Sequence, residues 1–410
     1  MAPLDSHLDD QCSASDLEQA VLQRLGVEEG WTSKHEKPSF MLTAHHEAMQ
    51  RTRLHLVEGG RWLLASTNGA IAVYDLIKPQ EKGQMVVPPP AGSTGRRITS
   101  NLSVDILRDA PTLTFNVAIA QDDLEPDDPD DEYVWTHFWR FTMQGHGISA
   151  KLQATFLNSF RTIGDMMAVN AVCLGGSLYA RAMEYLYEGS CVEVYSWEDS
   201  GVHLHLKAVF PHAHQCDYIR LLPNNRVLIL AEAHIDLYGI PAFETVPSST
   251  NGYRGSKIAS CNSLILPGTK FFRGAISPLL FEQQDQCKFT CSTNEGIFVV
   301  TISPSFSSAC MIRAFKSHEE VVITDVVIGI RRVYIRHYAQ AELWSYDIDQ
   351  PTISTKASPP KSTSRQFITD DCPSNLTPVM DESSGRVAMA GSNSSLAVFY
   401  YSLFDRVRSI

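Results

Sequence analysis

The sequence predicts an all-β fold of the β-propeller type, on three observations. The stretch RLHLVEGGRWLLASTNGAIAVYDL (Arg53–Leu76) reads as three antiparallel strands joined by tight turns. Weaker copies of it recur down to the C-terminus, and no helical periodicity separates them. Repeated antiparallel sheets without intervening helices suit radial repetition, which leaves few exposed strand edges.

Two turns carry the first copy. Glu58-Gly59-Gly60 separates a short strand from Trp62–Ser66, and glycines supply the positive φ that a tight turn needs. Asn68-Gly69 then leads into Ala70–Leu76, the strongest short-range hairpin signal. Trp62, Leu63 and Leu64 are consecutively apolar, as expected of a strand buried on both faces. Gly59, Gly60, Trp62, Asn68 and Gly69 are therefore the structural signature of this chain.

Before this copy, SDLEQAVLQRLGVEEGW predicts a helix. Ser15 stands as N-cap with Glu18 three residues on, Leu17, Val21, Leu22 and Leu25 form an apolar stripe, and Gly26 falls just past the end. After the first copy, six further hairpin units follow in order. They are Thr114–Ala120 with Tyr133–Met143, Met166–Leu174 with Cys191–Trp197, Arg226–Tyr238, Lys288–Ile302, Arg332–Ile348 and Arg386–Tyr401. Arg61, Arg226, Arg332 and Arg386 each open a first strand. The units are spaced more widely and less evenly than the ~40–45 residues of a WD-repeat blade. Insertions at Lys78–Arg97, Asp122–Glu132 and Pro351–Arg365 account for the excess. Seven units predict seven blades, with six or eight as alternatives. The last unit stops soon after its third strand, so its outer strand is expected from the N-terminal side, near Ser39–Ala44. The resulting division is a disordered 1–14, a helix and linker over 15–38, and a propeller over 39–410.

Composition narrows the function classes. The 410 residues carry a net charge of −12, 20% charged and 44% hydrophobic residues, the balance of an ordinary globular protein. The longest basic runs are Arg96-Arg97 and Arg331-Arg332, which argues against nucleic acid and anionic membrane as partners. No apolar window approaches the ~18 residues of a membrane helix. Nine cysteines lack paired spacing, and residues 1–20 are too acidic for a signal peptide. Both point to a reducing compartment, cytoplasmic or nuclear.

Candidate chemistry is sparse. Pro211-His212-Ala213-His214-Gln215-Cys216-Asp217 alternates potential ligands. On a strand, however, residues i and i+2 lie ~6–7 Å apart, so the stretch reads as a polar loop or strand edge rather than a metal site. Cys287 and Cys291 are expected as small core residues. The acidic run Asp122, Asp123, Glu125, Asp127, Asp128, Asp130, Asp131, Glu132 lacks the glycine and spacing of a calcium loop. It reads as a solvated loop, or as a docking site for a basic partner. Ser358 before Pro359 is a weak candidate for phosphorylation. No nucleophile elbow, P-loop, zincin or dinucleotide motif occurs, so the expectation is a non-enzyme with no cofactor and no metal. An enzyme with site residues drawn from several blades is the alternative.

Ser15–Trp31 followed by Arg51–Leu76 (RTRLHLVEGGRWLLASTNGAIAVYDL) resembles the fungal, mushroom-lineage F-box proteins with a C-terminal propeller. In that family a helix and a Trp-containing linker follow the F-box, and a GGRWLL-type strand opens the propeller. The resemblance implies a substrate receptor of a cullin-type ubiquitin ligase, whose F-box docks to the ligase adaptor while the propeller holds a protein target. The F-box itself has no counterpart among the fourteen polar residues before Ser15. The resemblance therefore implies either that it lies upstream or that the ligase contact has been lost, leaving a propeller scaffold outside the ubiquitin pathway.

Overall fold

In the computed structural model the chain is a β-propeller built from successive antiparallel sheets, with one α-helix among the described residues. The structure describes residues 14–32, 40–45, 52–78, 81–89, 98–123, 133–163, 167–185, 189–231, 234–248, 261–265, 271–278, 280–281, 286–293, 296–303, 309–316, 325–337, 340–346, 367–368, 378–390 and 395–401. Those residues form seven sheets. Sheet 1 runs Arg53–Leu56, Trp62–Thr67, Ala70–Asp75, Gln84–Val87 in spatial order. Sheet 2 is Ile98–Ile106, Thr114–Asp123, Tyr133–Gln144, Lys151–Ile163. Sheet 3 is Met167–Gly175, Leu178–Tyr185, Gly189–Ser196, Leu204–His212, with Glu244–Pro247 outermost. Sheet 4 is Cys216–Leu222, Arg226–Ala231, His234–Gly239, Cys261–Ile265. Sheet 5 is Phe271–Ile276, Cys287–Thr293, Gly296–Ile302, Ala309–Lys316, with Leu280–Phe281 beside Cys287–Thr293. Sheet 6 is Asp325–Ile328, Arg332–His337, Gln340–Ser345, Phe367–Ile368. Sheet 7 is Val379–Asp381, Arg386–Ala390, Ser395–Tyr400, completed by Phe40–His45 from the N-terminal side.

The two middle strands of each sheet carry the apolar hairpins that the sequence announces. Trp62, Leu63, Leu64 and Ala65 are all buried, so this strand packs on both of its faces. Turn chemistry follows the residues: φ is +88° at Gly59, +69° at Gly60, +49° at Asn68 and +78° at Gly69. Asn224 and Asn225 take φ of +61° and +53° between the first two strands of sheet 4, a conformation that asparagine tolerates better than most residues. The recurring arginines are tied down. Arg61 pairs with Asp75 at 2.8 Å, Arg332 with Glu382 at 3.0 Å, and Arg386 donates to the Gly60 carbonyl at 2.6 Å.

The chain forms two compact units. One comprises Met1–Ala65, Val73–Gln84 and Lys270–Ile410, and the other Ser66–Ala72 and Met85–Thr269. In the first, sheet 5 packs on sheet 6 through Ile297, Val326, Ile328, Val333 and Ile335. Sheet 6 packs on sheet 7 through Tyr334, Leu343, Val387, Met389 and Phe399. In the second, sheet 2 meets sheet 3 through Phe138, Phe160, Tyr179, Tyr195 and Trp197. Sheet 3 meets sheet 4 through Ala182, Val192, Phe210, Ile219, Val227 and Ile229.

Three expectations need correction. The helix spans Ala14–Thr32, starting before Ser15 and running through Gly26. Its buried residues are Gly26, Val27, Gly30 and Trp31, while Val21, Leu22 and Leu25 are about half exposed. Two glycines cost the helix ~1 kcal/mol each, and the docking of Trp31 offsets that. The Trp31 ring stacks on Tyr401 at 4.7 Å, its Nε1 donates to the Glu382 carbonyl at 3.1 Å, and the Arg332 guanidinium lies 5.2 Å over it. The third hairpin is paired differently from the sequence reading. Met167–Gly175 pairs with Leu178–Tyr185, which lies between it and Gly189–Ser196. Finally, Lys78–Arg97 contains the fourth strand of sheet 1, Gln84–Val87. Residues 1–13, Pro351–Arg365 and Ser358 lie outside the described residues.

Candidate functional site

Three side-chain assemblies in the second unit combine polar or aromatic chemistry. The first is the histidine stretch. His212 closes one strand of sheet 3 and is buried, not a solvated strand edge. Its Nδ1 lies 2.7 Å from the His214 carbonyl and its Nε2 3.1 Å from Asp236 Oδ2, so both ring nitrogens are engaged. Burial alone would raise the Asp236 pKa, but hydrogen bonds from His212 and Ser263 hold it below the ordinary carboxylate range. The His214 and His234 rings stack at 4.2 Å, 14° from parallel. Their nitrogen lone pairs therefore lie in separate planes and do not converge on one ion as a tetrahedral site requires. Among the described residues no three His, Cys, Asp or Glu side chains group as a metal site. Cys287 and Cys291 are fully buried, and burial pushes the Cys291 thiol up to about 12.

The second assembly is an ionic cluster inside sheet 3. Arg181 and Glu193 face each other in register on neighbouring strands. Arg181 Nε donates to Glu193 Oε2 at 2.7 Å, and Lys207 Nζ donates to the other carboxylate oxygen at 2.9 Å. Tyr195 adds a hydroxyl bond to Glu193 at 2.7 Å, and Thr162 accepts from Arg181 at 2.8 Å. Burial opposes the charge on Glu193, yet Arg181 and Lys207 together hold its carboxyl well below the usual range. Beside them, burial and the Lys207 charge lower His205 to about 4. Every member of the cluster is at least nine-tenths buried, so it holds the sheet together and offers nothing to a ligand.

The third assembly is open to solvent. Tyr133–Gln144 alternates Val134, Thr136 and Phe138, all fully buried, with Trp135, His137 and Trp139 on the opposite face. Trp135 and His137 stack with parallel rings at 5.8 Å. Phe156, on the adjoining edge strand, lies opposite Trp139 in register and meets its ring edge-on at 5.3 Å and that of His137 at 6.5 Å. The ladder skips Leu157 at this point, a bulge of the kind that re-aims neighbouring side chains. Phe156 is 49% exposed, and Trp135, His137 and Trp139 are partly so. The four rings make a continuous row about 13 Å long on one sheet face. Burial lowers the His137 pKa below its ordinary value.

The acidic run adjoins this row through the chain. Asp122 and Asp123 belong to the strand Thr114–Asp123, Asp122 pairing with Val134, so the insert is shorter than the sequence suggests. Asp127, Asp128, Asp130 and Asp131 lie outside the described residues. The connection that carries them joins the two strands at the Trp135 end of the row. Sequence reasoning placed the strand but missed the row. The signal was present in Trp135-Thr136-His137-Phe138-Trp139, where two tryptophans and a histidine fall at alternate positions.

No family model matches the sequence, and no curated protein does. Among solved structures the chain is similar to one described as the AfRom2 CNH domain, at 11% identity over 87% of this chain and 97% of that one, TM-score 0.37. It is similar also to YCF48 bound to D1 peptide, at 10% identity over 90% of this chain and 97% of that one, TM-score 0.43.

Proposed function

We propose that this chain is a non-enzymatic β-propeller that binds another protein through the ring row of sheet 2, and that it descends from F-box substrate receptors. The carrying observation is the row itself. Aromatic side chains left partly in water on a sheet face are a cost unless a partner covers them, and tryptophan and other aromatics are enriched at interface cores. The finer part of the reading rests on Ser15–Trp31 and Arg51–Leu76, the residues that resemble the F-box family. A 19-residue helix anchored at its end by Trp31 suits it, since such a helix holds an N-terminal docking module rigidly on the propeller. A cytoplasmic or nuclear location belongs to the same reading, supported by cysteines without paired spacing.

The test is affinity purification of the tagged 410-residue chain from its native cells, read by mass spectrometry. Recovery of a ligase adaptor and cullin with further proteins supports the whole reading. A stable set of partners without adaptor or cullin keeps the binding function and removes the ubiquitin pathway. No reproducible partner overturns both.

A further inference from the structure

One turn contact fixes which backbone groups of sheet 2 face outward. The Met143 N–H donates to the Leu113 carbonyl at 2.9 Å, so Met143 bonds toward Thr114–Asp123. In an antiparallel ladder successive residues bond to opposite sides, so Arg140 and Thr142 bond toward the edge strand Lys151–Ile163, where Thr155 and Gln153 stand opposite them. Ala154 and Phe156 therefore direct their N–H and C=O groups away from the sheet. Beyond the skipped Leu157 the same alternation turns Ser159 and Arg161 outward, and both are already engaged. Asn158 Oδ1 accepts the Ser159 N–H at 2.8 Å, and the Arg161 carbonyl accepts from His205 Nε2 at 2.9 Å. Among the described residues no strand lies beyond Gln153–Phe156 and no backbone bond fills its outward groups. Gln153, Thr155 and Phe156 are exposed there, and Ala154 is half-buried.

Sheet 3 shows what completes such an edge. Its fourth strand is Leu204–His212, and Glu244–Pro247 lies antiparallel along Leu204–Lys207 as a fifth. The Ser248 N–H donates to the His203 carbonyl at 2.9 Å, which sets His205 and Lys207 as the residues that bond to the fifth strand. Two alternate outward residues are thus enough to seat a strand on this fold. A bare edge pairs with another extended chain through the same backbone groups. Charge narrows the choice of chain. Tyr133–Gln144 and Lys151–Ile163 contain Arg140, Lys151 and Arg161 but no Asp or Glu. Lys151 is exposed, on the sheet face opposite that of Phe156.

Building on the reading of sheet 2 as a protein-binding surface, we infer that the edge Gln153–Phe156 receives an extended, acidic segment of another protein as a fifth, antiparallel strand. Its backbone bonds to Ala154 and Phe156. On the ring face, a bulky apolar side chain opposite the small Ala154 packs against Phe156 and continues the pair Trp139–Phe156 across the edge. Running antiparallel, the segment passes Phe156 before Lys151, so its carboxylates stand C-terminal to its apolar residues and pair with Lys151. A second copy of this edge brings another lysine and no carboxylate, so a different chain is the occupant that the charge selects.

The experiment uses the full chain and fluorescein-labelled peptides read by anisotropy, with sedimentation velocity of the chain alone. The parent peptide alternates valine or phenylalanine with threonine and ends in glutamates. One companion ends in lysines instead. Two others carry backbone N-methyl groups on alternate residues, in opposite phases, so that each loses the donors of one edge. The expected result is saturable binding of the parent, at least about fivefold tighter than the lysine version, kept in one N-methyl phase and lost in the other. Ala154→Pro removes an outward donor, which an edge strand tolerates, and is expected to weaken binding at least about tenfold without moving the melting midpoint. Thr155→Pro removes an inward donor and is expected to lower that midpoint. Equal binding of the two N-methylated peptides, equal affinity for the lysine version, or full affinity in Ala154→Pro overturns the inference. If Ala154→Pro does not fold, the N-methylated pair decides alone. A chain that dimerises through this edge and ignores the parent peptide has a second copy as occupant, which also overturns it. Partners that co-purify with the chain while the parent peptide fails to bind leave the protein-binding reading standing and remove this one. Absence of both removes the two together.

Discussion

Gly59 and Gly60 are adjacent, both in the left-handed region, yet the structure assigns them different costs on substitution. A Cβ at Gly59 meets nothing within 4 Å. A Cβ at Gly60 would stand 1.9 Å from Ser384 Oγ, 2.5 Å from Ser384 Cβ and 3.0 Å from Asp381 Oδ2. Ser384 is not free to retreat, because it is buried and its N–H donates to Asp381 at 2.9 Å. Nor is Gly60, whose N–H donates to the Val57 carbonyl at 2.8 Å and whose carbonyl accepts from Arg386 at 2.6 Å. Each alanine pays ~1–2 kcal/mol for positive φ. Gly60→Ala adds ~1–3 kcal/mol of overpacking, and if the turn shifts it also forfeits a buried hydrogen bond to a charged group, worth ~1.5–3 kcal/mol. Gly59→Ala is therefore expected to cost about 1–2 kcal/mol and Gly60→Ala about 3–5 kcal/mol. Urea unfolding followed by tryptophan fluorescence and far-ultraviolet circular dichroism measures the two. Ser384→Gly placed in the Gly60→Ala background should recover the overpacking part, about 1–3 kcal/mol of the loss. If the two alanine variants unfold within about 0.5 kcal/mol of each other, the packing of Gly60 on Ser384 is wrong.

Two further outcomes follow from buried groups. Trp31→Ala is expected to cost about 3–5 kcal/mol, since the ring is buried against Tyr401 and the sheet 7 strands, whereas Leu25→Ala, on the exposed side of the same helix, should stay within about 0.5 kcal/mol; equal melting midpoints for the pair would contradict the docked face. His205 donates from Nε2 to the Arg161 carbonyl at 2.9 Å, its Nδ1 is buried without a hydrogen-bond partner, and Lys207 is close by, so protonation is disfavoured in the fold. With its pKa lowered from 6.5 to about 4, the unfolded chain binds the extra proton. The stabilisation is present above about pH 6.5 and is lost as pH falls toward 4. It is worth on the order of 2 kcal/mol. His205→Gln should flatten the urea midpoint between pH 7 and pH 5 relative to the parent; an unchanged slope would refute the assignment.

How far the sequence could be read depended on where each strand sits in its sheet. The middle strands Trp62–Thr67, Arg226–Ala231 and Arg386–Ala390 are buried on both faces, so they appear as largely apolar runs beside recognisable turns. Edge strands such as Gln84–Val87 and Phe367–Ile368 are short, and the first of them is half solvated, so they leave no pattern to find. Leu178–Tyr185 is a middle strand that was still missed, because Arg181 sits at its centre. A charge reads as solvent-exposed unless its partners are known, and those partners, Glu193 and Tyr195 on the adjoining strand and Thr162 on the neighbouring sheet, are distant in sequence. Gly26 misled for a related reason. It reads as a helix stop until Trp31, five residues on, is seen to dock on Tyr401 at the far end of the chain. Among the candidate sites, the acidic run was visible from composition. The ring row was hidden in a strand already explained as core, since only the fold shows which alternate face is left open.

These particulars share one physical device. Arg61 with Trp62 and Asp75, Arg332 with Trp31 and Glu382, and Arg181 with Tyr195 and Glu193 all place a guanidinium between an aromatic ring and a carboxylate. A buried charge is tolerated only when its hydrogen bonds are filled and its field is neutralised nearby. A ring covers the flat faces that no hydrogen bond can use, and the carboxylate fills the edge. Sheet 3 carries the device to its limit, with two cations and one carboxylate dry inside a single sheet, where the excess positive charge rests on the Tyr195 ring at 5.3 and 5.6 Å. What distinguishes the sheet 2 row is exposure rather than chemistry. The rings of Trp135, His137, Trp139 and Phe156, unlike the rings that clamp the chain's own arginines, stand partly in solvent.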